Sequence, residues 1–246
     1  MNEWIHGKSI LVTGAVRRIG RAIALDLASH GASIAVHVFG STDAGERTAA
    51  ECRAFGVDAT VVVADQADVE AVHRACTDAT HALGRIDGLI NSAAIWPKVA
   101  FGSVTQADFD HAIHVNLRGP FFFAQALSKH MQERGDGAII NLADVSTDRP
   151  IVDAIPYTLA KSGLVTLTYS LAKALAPHIR VNCVSPGPIA FPVDYKPYEA
   201  ERDINATLMG RAGHPKDVVE AVRYALNAPY VTGTVLPVDG GFRFGI

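Results

Sequence analysis

The chain alternates between two hydrophobic rhythms. Short runs rich in β-branched and aliphatic residues recur: SILVTG (9–14), SIAVHVF (33–39), ATVVVAD (59–65), IDGLINSAA (86–94), GAIINLA (137–143), IRVNCVSP (179–186) and TVLPVDG (234–240). Between them lie longer amphipathic stretches such as RRIGRAIALDLASHG. The first pattern predicts strands and the second helices. The strand runs are apolar at nearly every position, so both faces of the sheet are covered, as in a parallel sheet. Strands joined by helices build right-handed βαβ units. The expected fold is α/β, a doubly wound seven-stranded parallel sheet with helices on both faces. Gly31 is expected to close the first helix, being suited to a left-handed C-terminal cap. Ligands of such sheets bind beyond the carboxyl ends of the strands, and every motif considered below falls there.

Composition narrows the class without changing that picture. A chain of 246 residues, 49% hydrophobic and 19% charged, suits one globular domain with a sizeable core. No Pro/Ser-rich linker, charge run or repeat divides it. A formal net charge of -3 with no basic patch argues against nucleic-acid binding. No stretch approaches 18 uninterrupted apolar residues, so no membrane-spanning helix is expected, and MNEWIHGKSILVTG lacks the pattern of a secretory leader. Cys52, Cys76 and Cys183 are far apart and in no metal spacing, which fits a reducing cytoplasm. His111 and His114 stand three apart on a helical stretch, but no third ligand accompanies them, and they are read as structural.

VTGAVRRIGRAIA follows the first strand and opens the first helix. Gly14 permits a tight turn, Gly20 permits close packing of helix on sheet, and the free N–H groups of the helix start suit a pyrophosphate. Arg17, Arg18 and Ile19 lie within the turn. An NAD-preferring site carries an acid at the end of the second strand to hold the ribose 2′-OH. Here that end reads HVFGS, with no acid before Asp43. Arg17 and Arg18, with His37 and Ser41 nearby, favour a 2′-phosphate instead, so the expected cofactor is NADPH.

The ordered set TGxxxxxG, NSAA (91–94), Asn116, YTLAK (157–161) and SPGPI (185–189) resembles the short-chain dehydrogenase/reductase family across essentially the whole chain. The resemblance implies a Rossmann fold in one domain, 1–246, with a substrate lid at about 190–212. Within that family, TGAVRRIG, the tryptophan of NSAAIW, IHVN, Asp144 and the closing VTGTVLPVDGG are similar to pteridine reductases and bacterial dihydromonapterin reductases. Those act with NADPH on the pterin ring, some also on dihydrofolate. In most of the wider family the position thirteen before the tyrosine is a serine; here, as in pteridine reductases, it is an aspartate, Asp144.

The resemblance implies the following roles. Tyr157 donates a proton, Lys161 tunes it and holds the nicotinamide ribose, and Asn116 holds a relay water. Asp65 contacts adenine. Asn91, Ala93, Pro186, Gly187 and Ile189 line the cofactor. Trp96 stacks on the pterin, and Arg18 reaches from phosphate to substrate. Family members are commonly tetramers pairing through helices around 105–130 and 155–177. A small-molecule substrate follows, with neither nucleic acid nor membrane as partner.

The residues themselves give that chemistry a reason. A free tyrosine has a pKa of about 10. A lysine four residues on shares its helix face, and its charge stabilises the phenolate. Reduction of a pterin delivers hydride to carbon and a proton to ring nitrogen, while ring N–H groups seek an acceptor. A carboxylate serves these needs better than a serine hydroxyl. Three alternatives stay open. Ser146, two residues on, would make an ordinary carbonyl or 3-ketoacyl reductase. Asp144 would be a turn-forming acid with no substrate contact. The chain would be a non-catalytic NADP-binding sensor.

Overall fold

A computed structural model describes residues 4–191 and 195–245. Of the expected lid, residues 192–194 lie outside the described residues. Seven strands form one sheet, all neighbours parallel: β1 (Ser9–Thr13), β2 (Ser33–Val38), β3 (Ala59–Val63), β4 (Gly88–Asn91), β5 (Gly137–Leu142), β6 (Ile179–Pro186) and β7 (Val235–Val238), in the order 3-2-1-4-5-6-7. The helices between them are α1 (Arg18–Ser29), α2 (Thr42–Arg53), α3 (Val69–Leu83), α4 (Gln106–Ile113), α5 (Gly119–Arg134), α6 (Ile155–Leu175), α7 (Pro197–Asn205) and α8 (Pro215–Asn227). All seven predicted strands exist, each trimmed by at most a few residues.

The unbroken apolar runs have the predicted consequence. Along β1, Ile10 and Val12 face one core while Leu11 faces the other; along β5, Ile140 and Leu142 oppose Ile139 in the same way. Ile23 and Leu27 of α1 with Val218 and Val222 of α8 cover the first face. Val72 of α3, Phe123 and Leu127 of α5 and Leu175 of α6 cover the second. Gly31, at φ +86, lies just beyond the end of α1, in the left-handed conformation its type suits.

At the amino edge of the sheet a buried acid ties three elements. Asp87 is fully buried and accepts from Ser9 N–H (3.0 Å), from Arg85 Nε (2.9 Å) and from an Arg134 guanidinium nitrogen (3.2 Å). Strands β1 and β4 and the end of α5 are thus joined at one carboxylate, at the opposite edge from the residues considered next. Among the described residues no helix is long and apolar enough to cross a membrane.

Candidate active site

The carboxyl ends of the strands open onto one cleft of about 1250 Å³. Its floor is the glycine turn. Gly14 sits at φ +66, and a Cβ there would stand 2.9 Å from Ala93 Cα; a Cβ on Gly20 would stand 2.5 Å from the Gly14 carbonyl oxygen. Only glycine lets the turn, the end of β4 and the start of α1 approach this closely. The start of α1 has no side-chain cap and no acid in its first turn, whereas α3 and α4 are capped by Asp68 and Thr105. An uncapped helix start flanked by Arg17 and Arg18 is suited to an anion. Arg18 stands at φ +50 and donates to the Ala190 carbonyl, bridging this turn to the segment after β6. Ile19, the exposed Ser41 and Asp65 line the same end. Asp65 also accepts from Ala67 N–H at 2.8 Å.

His37 lines this end of the cleft as expected, but as an uncharged group. It is buried, accepts from Gly14 N–H at Nδ1 (3.3 Å) and meets the Ala64 carbonyl through Nε2 (3.1 Å). Burial lowers its pKa from 6.5 to about 4, so at neutral pH it is an uncharged prop for the turn. Unfolding restores the higher pKa, so between about pH 4 and 6.5 the unfolded chain binds more protons. Stability is therefore complete above 6.5 and falls as pH drops toward 4. Urea unfolding is expected to show a loss of about 2–3 kcal/mol from this group between pH 7 and 4.5, and His37→Gln, less stable at pH 7, should show a shallower decline.

Asn91 is corrected, and Asn116 is held by neighbouring main chain. Asn91 does not line the cleft; it is buried in the sheet, donating to Asn141 Oδ1 at 2.9 Å, and Asn141 in turn donates to Thr168. Asn116 sits in a π-helical turn, His114–Arg118, between α4 and α5. Its amide is occupied by main chain, donating to Ile95 and Ala112 carbonyls (3.1 and 3.0 Å) and accepting from Ile95 N–H (3.1 Å). The side chain therefore braces the loop after β4. Ala93, Pro186, Gly187 and Ile189 line the cleft as expected. Among the described residues no cluster of metal-ligating side chains forms, His111 and His114 included.

Asp144, Tyr157 and Lys161 converge at the centre. Asp144 follows β5 and divides its oxygens between two tasks. Oδ1 accepts from Ser146 N–H at 2.7 Å, closing a turn, and Oδ2 accepts from the Tyr157 hydroxyl at 3.0 Å. The turn-forming alternative is thus correct for one oxygen only. That turn sends the Ser146 side chain into the interior, where it is fully buried, off the cleft and without a partner for its hydroxyl. Lys161, also buried, donates to the Leu142 carbonyl at 2.7 Å, with Nζ 5.8 Å from the centre of the Tyr157 ring. Burial, joined by the Asp144 charge, drives the Tyr157 pKa well above its ordinary value. The expected lowering by Lys161 is absent, because its ammonium points at the main chain. Burial also lowers Lys161 to about 8.

The other half of the cleft was only partly foreseen. Trp96 lies 5.9 Å from Tyr195, which stacks on Phe191 at 5.1 Å, and Lys98 Nζ stands 4.8 Å from both the Trp96 and Tyr195 rings. Lys98 pairs with Glu199 at 2.8 Å, Arg202 with Asp203 at 2.8 Å, and the Tyr195 hydroxyl donates to Asp203. Phe39, Arg149 and Phe242 line the cleft without having been singled out. Arg149 lies in the stretch between Asp144 and Tyr157, a position that could have flagged it.

A site so composed belongs to an oxidoreductase, and comparison agrees. The family model described as enoyl-(acyl carrier protein) reductase matches residues 14–243. L-rhamnose 1-dehydrogenase (NAD(P)(+)) of Azotobacter vinelandii is 36% identical over 95% of this chain and 96% of its own. The 3-oxoacyl-[acyl-carrier-protein] reductase FabG of Staphylococcus aureus is 34% identical over 95% and 97%. Among solved structures, FolM alternative dihydrofolate reductase 1 from Brucella canis, complexed with NADP, superposes with a TM-score of 0.93 and 33% identity over 99% of this chain and 96% of that one, and its counterpart from Brucella suis with a TM-score of 0.92 and 34% identity over 98% and 96%. The chain belongs to the short-chain dehydrogenase/reductase family.

Proposed function

We propose that this chain is an NADPH-dependent reductase of a pterin ring, with dihydromonapterin, dihydrobiopterin and dihydrofolate as candidate substrates. The observation that carries this reading is the carboxylate of Asp144 bonded to the Tyr157 hydroxyl within the cleft, where most of the family has a serine. The cofactor fits the residues present: the glycine cradle leaves no room for a Cβ, and the start of α1 is uncapped. Gly14, Arg17, Arg18, Ile19, Gly20 and Ser41 would hold its phosphates, with Asp65, Ala93, Pro186, Gly187 and Ile189 along the rest. When bound, NADPH supplies the hydride.

Tyr157, held protonated by its raised pKa, gives its proton to the ring nitrogen. Asp144 accepts from the ring's N–H groups and fixes its orientation. Lys161, held on the Leu142 carbonyl beside the Tyr157 ring, would hold the nicotinamide ribose. Asn116 acts indirectly by bracing the loop that carries Trp96, and Trp96 with Arg18 borders the ring. The further reading of a homotetramer rests on the exposed Phe109, Phe121, Leu159 and Tyr169 on α4, α5 and α6.

The test is NADPH oxidation against dihydropterins, dihydrofolate, quinones and ketones. Asp144→Ser is expected to lower kcat/KM for a dihydropterin by about 10²-fold or more while NADPH binding persists. The relatives named for ketoacyl and sugar substrates favour a second reading, a carbonyl reductase. Ketone turnover that survives Asp144→Ala, falls in Ser146→Ala and has no pterin counterpart would establish it instead. A protein that binds NADPH but does not oxidise it with any of these substrates would be a sensor. For the cofactor, NADPH is expected to bind at least about tenfold tighter than NADH, about 1.4 kcal/mol, and Arg17→Ala should narrow that ratio in fluorescence titrations.

A further inference from the structure

Beyond Arg18, three exposed or half-buried cations line the substrate half of the cleft, and two of them are neutralised where they stand. Lys98 is paired with Glu199 and Arg202 with Asp203. Arg149 is different. Its main-chain N–H donates to the Val145 carbonyl at 3.0 Å, which anchors its position just past Asp144. Its guanidinium lies 4.5 Å from the centre of the Phe242 ring, and Nη1 donates to the Phe242 carbonyl at 2.9 Å. Among the described residues no carboxylate comes within ion-pair distance of it.

A guanidinium has five N–H donors in a rigid planar fork, and one carbonyl on one edge leaves donors unspent. Stacking on an aromatic face fixes the plane before any ligand arrives, so less side-chain entropy is lost when the remaining donors are used. A half-buried, preoriented cation lining the cleft that holds Tyr157 and Asp144 is suited to a planar or tetrahedral oxyanion. Asp153 lines the same half and adds negative charge. Recognition therefore depends on direct contact with the guanidinium fork, since the net charge of the wall does not favour an anion.

We infer that Arg149 is a specificity-determining residue that receives an anionic group, a carboxylate or a phosphate, carried by the substrate away from the ring or carbonyl that is reduced. Applied to the pterin reading, on which this form of the inference rests, it selects dihydropterins with an acidic tail over those with a neutral polyol tail.

The test measures kcat/KM for three dihydropterins: dihydrofolate as the carboxylate arm, dihydroneopterin phosphate as the phosphate arm, and dihydrobiopterin as the neutral reference. In the wild type at least one acidic substrate is expected to exceed the neutral one by about tenfold, mostly through KM, and the larger ratio identifies the oxyanion. Arg149→Gln should collapse that ratio toward unity, and Arg149→Lys should restore part of it. The ratio is taken within each variant, so a general loss of activity cancels, and NADPH titration of the same samples reports folding. A wild-type ratio below twofold, or an unchanged ratio in Arg149→Gln, overturns the inference and leaves the pterin reading intact. If no pterin is turned over, that reading fails by itself. The same ratio is then read on a 3-keto acid and its methyl ester, where equal turnover by wild type and Arg149→Gln overturns the inference.

Discussion

Replacing Tyr157 with phenylalanine is expected to lower kcat by two to four orders of magnitude while leaving cofactor affinity within a few-fold of the wild type. The substitution removes one oxygen from a buried ring that packs at the start of α6. It also removes the hydroxyl that faces Asp144 at 3.0 Å. A positioned proton donor contributes about 10²–10⁴-fold, and no other donor is placed to take over. Ser146 has a hydroxyl, but it is buried off the cleft, and the Lys161 ammonium is directed at Leu142. The variant also leaves the Asp144 carboxylate without the donor that Oδ2 uses, so some loss of stability accompanies the loss of rate. Stopped-flow measurement of hydride transfer separates the two, because a folded variant still binds NADPH. A Tyr157→Phe enzyme within tenfold of wild-type kcat would remove Tyr157 from the role of proton donor.

The second large effect lies at the opposite edge of the sheet. Asp87→Ala is expected to destabilise the chain by about 3 kcal/mol, the lower end of the range for breaking a buried pair. The lower end applies because Arg85 and Arg134 keep part of their surface in water, with side chains 44% and 31% exposed. The loss has three parts: two guanidiniums without their carboxylate, the Ser9 N–H without its acceptor, and a cavity where the side chain stood. In a chain of this size it corresponds to a fall in Tm of about 6–12 °C. In urea the midpoint should fall with little change in slope. The residue is remote from the cleft, so kcat of the folded fraction should hold. A midpoint unchanged within error would show that Asp87 contributes no net stability.

The sheet was legible in the sequence because seven β-branched runs, covered on both faces, leave few alternatives once helices separate them. The glycine turn was legible because strand, turn and helix follow in order around Gly14 and Gly20. What could not be read were features set by desolvation and by contacts distant in sequence. The Tyr157–Lys161 spacing pointed to a lowered tyrosine pKa, yet burial and Asp144 raise it, and neither the burial nor the aim of the lysine is encoded in a four-residue interval. The sequence favours Asp144 and leaves Ser146 open as an alternative, since only the turn that joins them shows one side chain facing outward and the other in. His37 stands in an apolar strand, SIAVHV, where its own neighbours mark it as buried, so it lines the cleft without a charge to offer a phosphate. The wall of Trp96, Tyr195 and Phe191 joins residues about a hundred positions apart, which no local pattern reveals.

The strand order carries a consequence for how the chain comes into being. β1 pairs with β2 on one side and with β4 on the other, and Gly14 touches Ala93 across that seam. Residues that emerge first from a ribosome can assemble β1–β3, because their partners are already present. The glycine turn comes early, but Ala93, which packs against it, follows β4, and the acid, phenol and ammonium wait for β5 and α6. A chain halted before residue 88 holds the glycine turn and the start of α1 but lacks Ala93 and the acid, phenol and ammonium. The complete cleft is thus a late product of synthesis, because its two sides lie on opposite flanks of the β1–β4 seam.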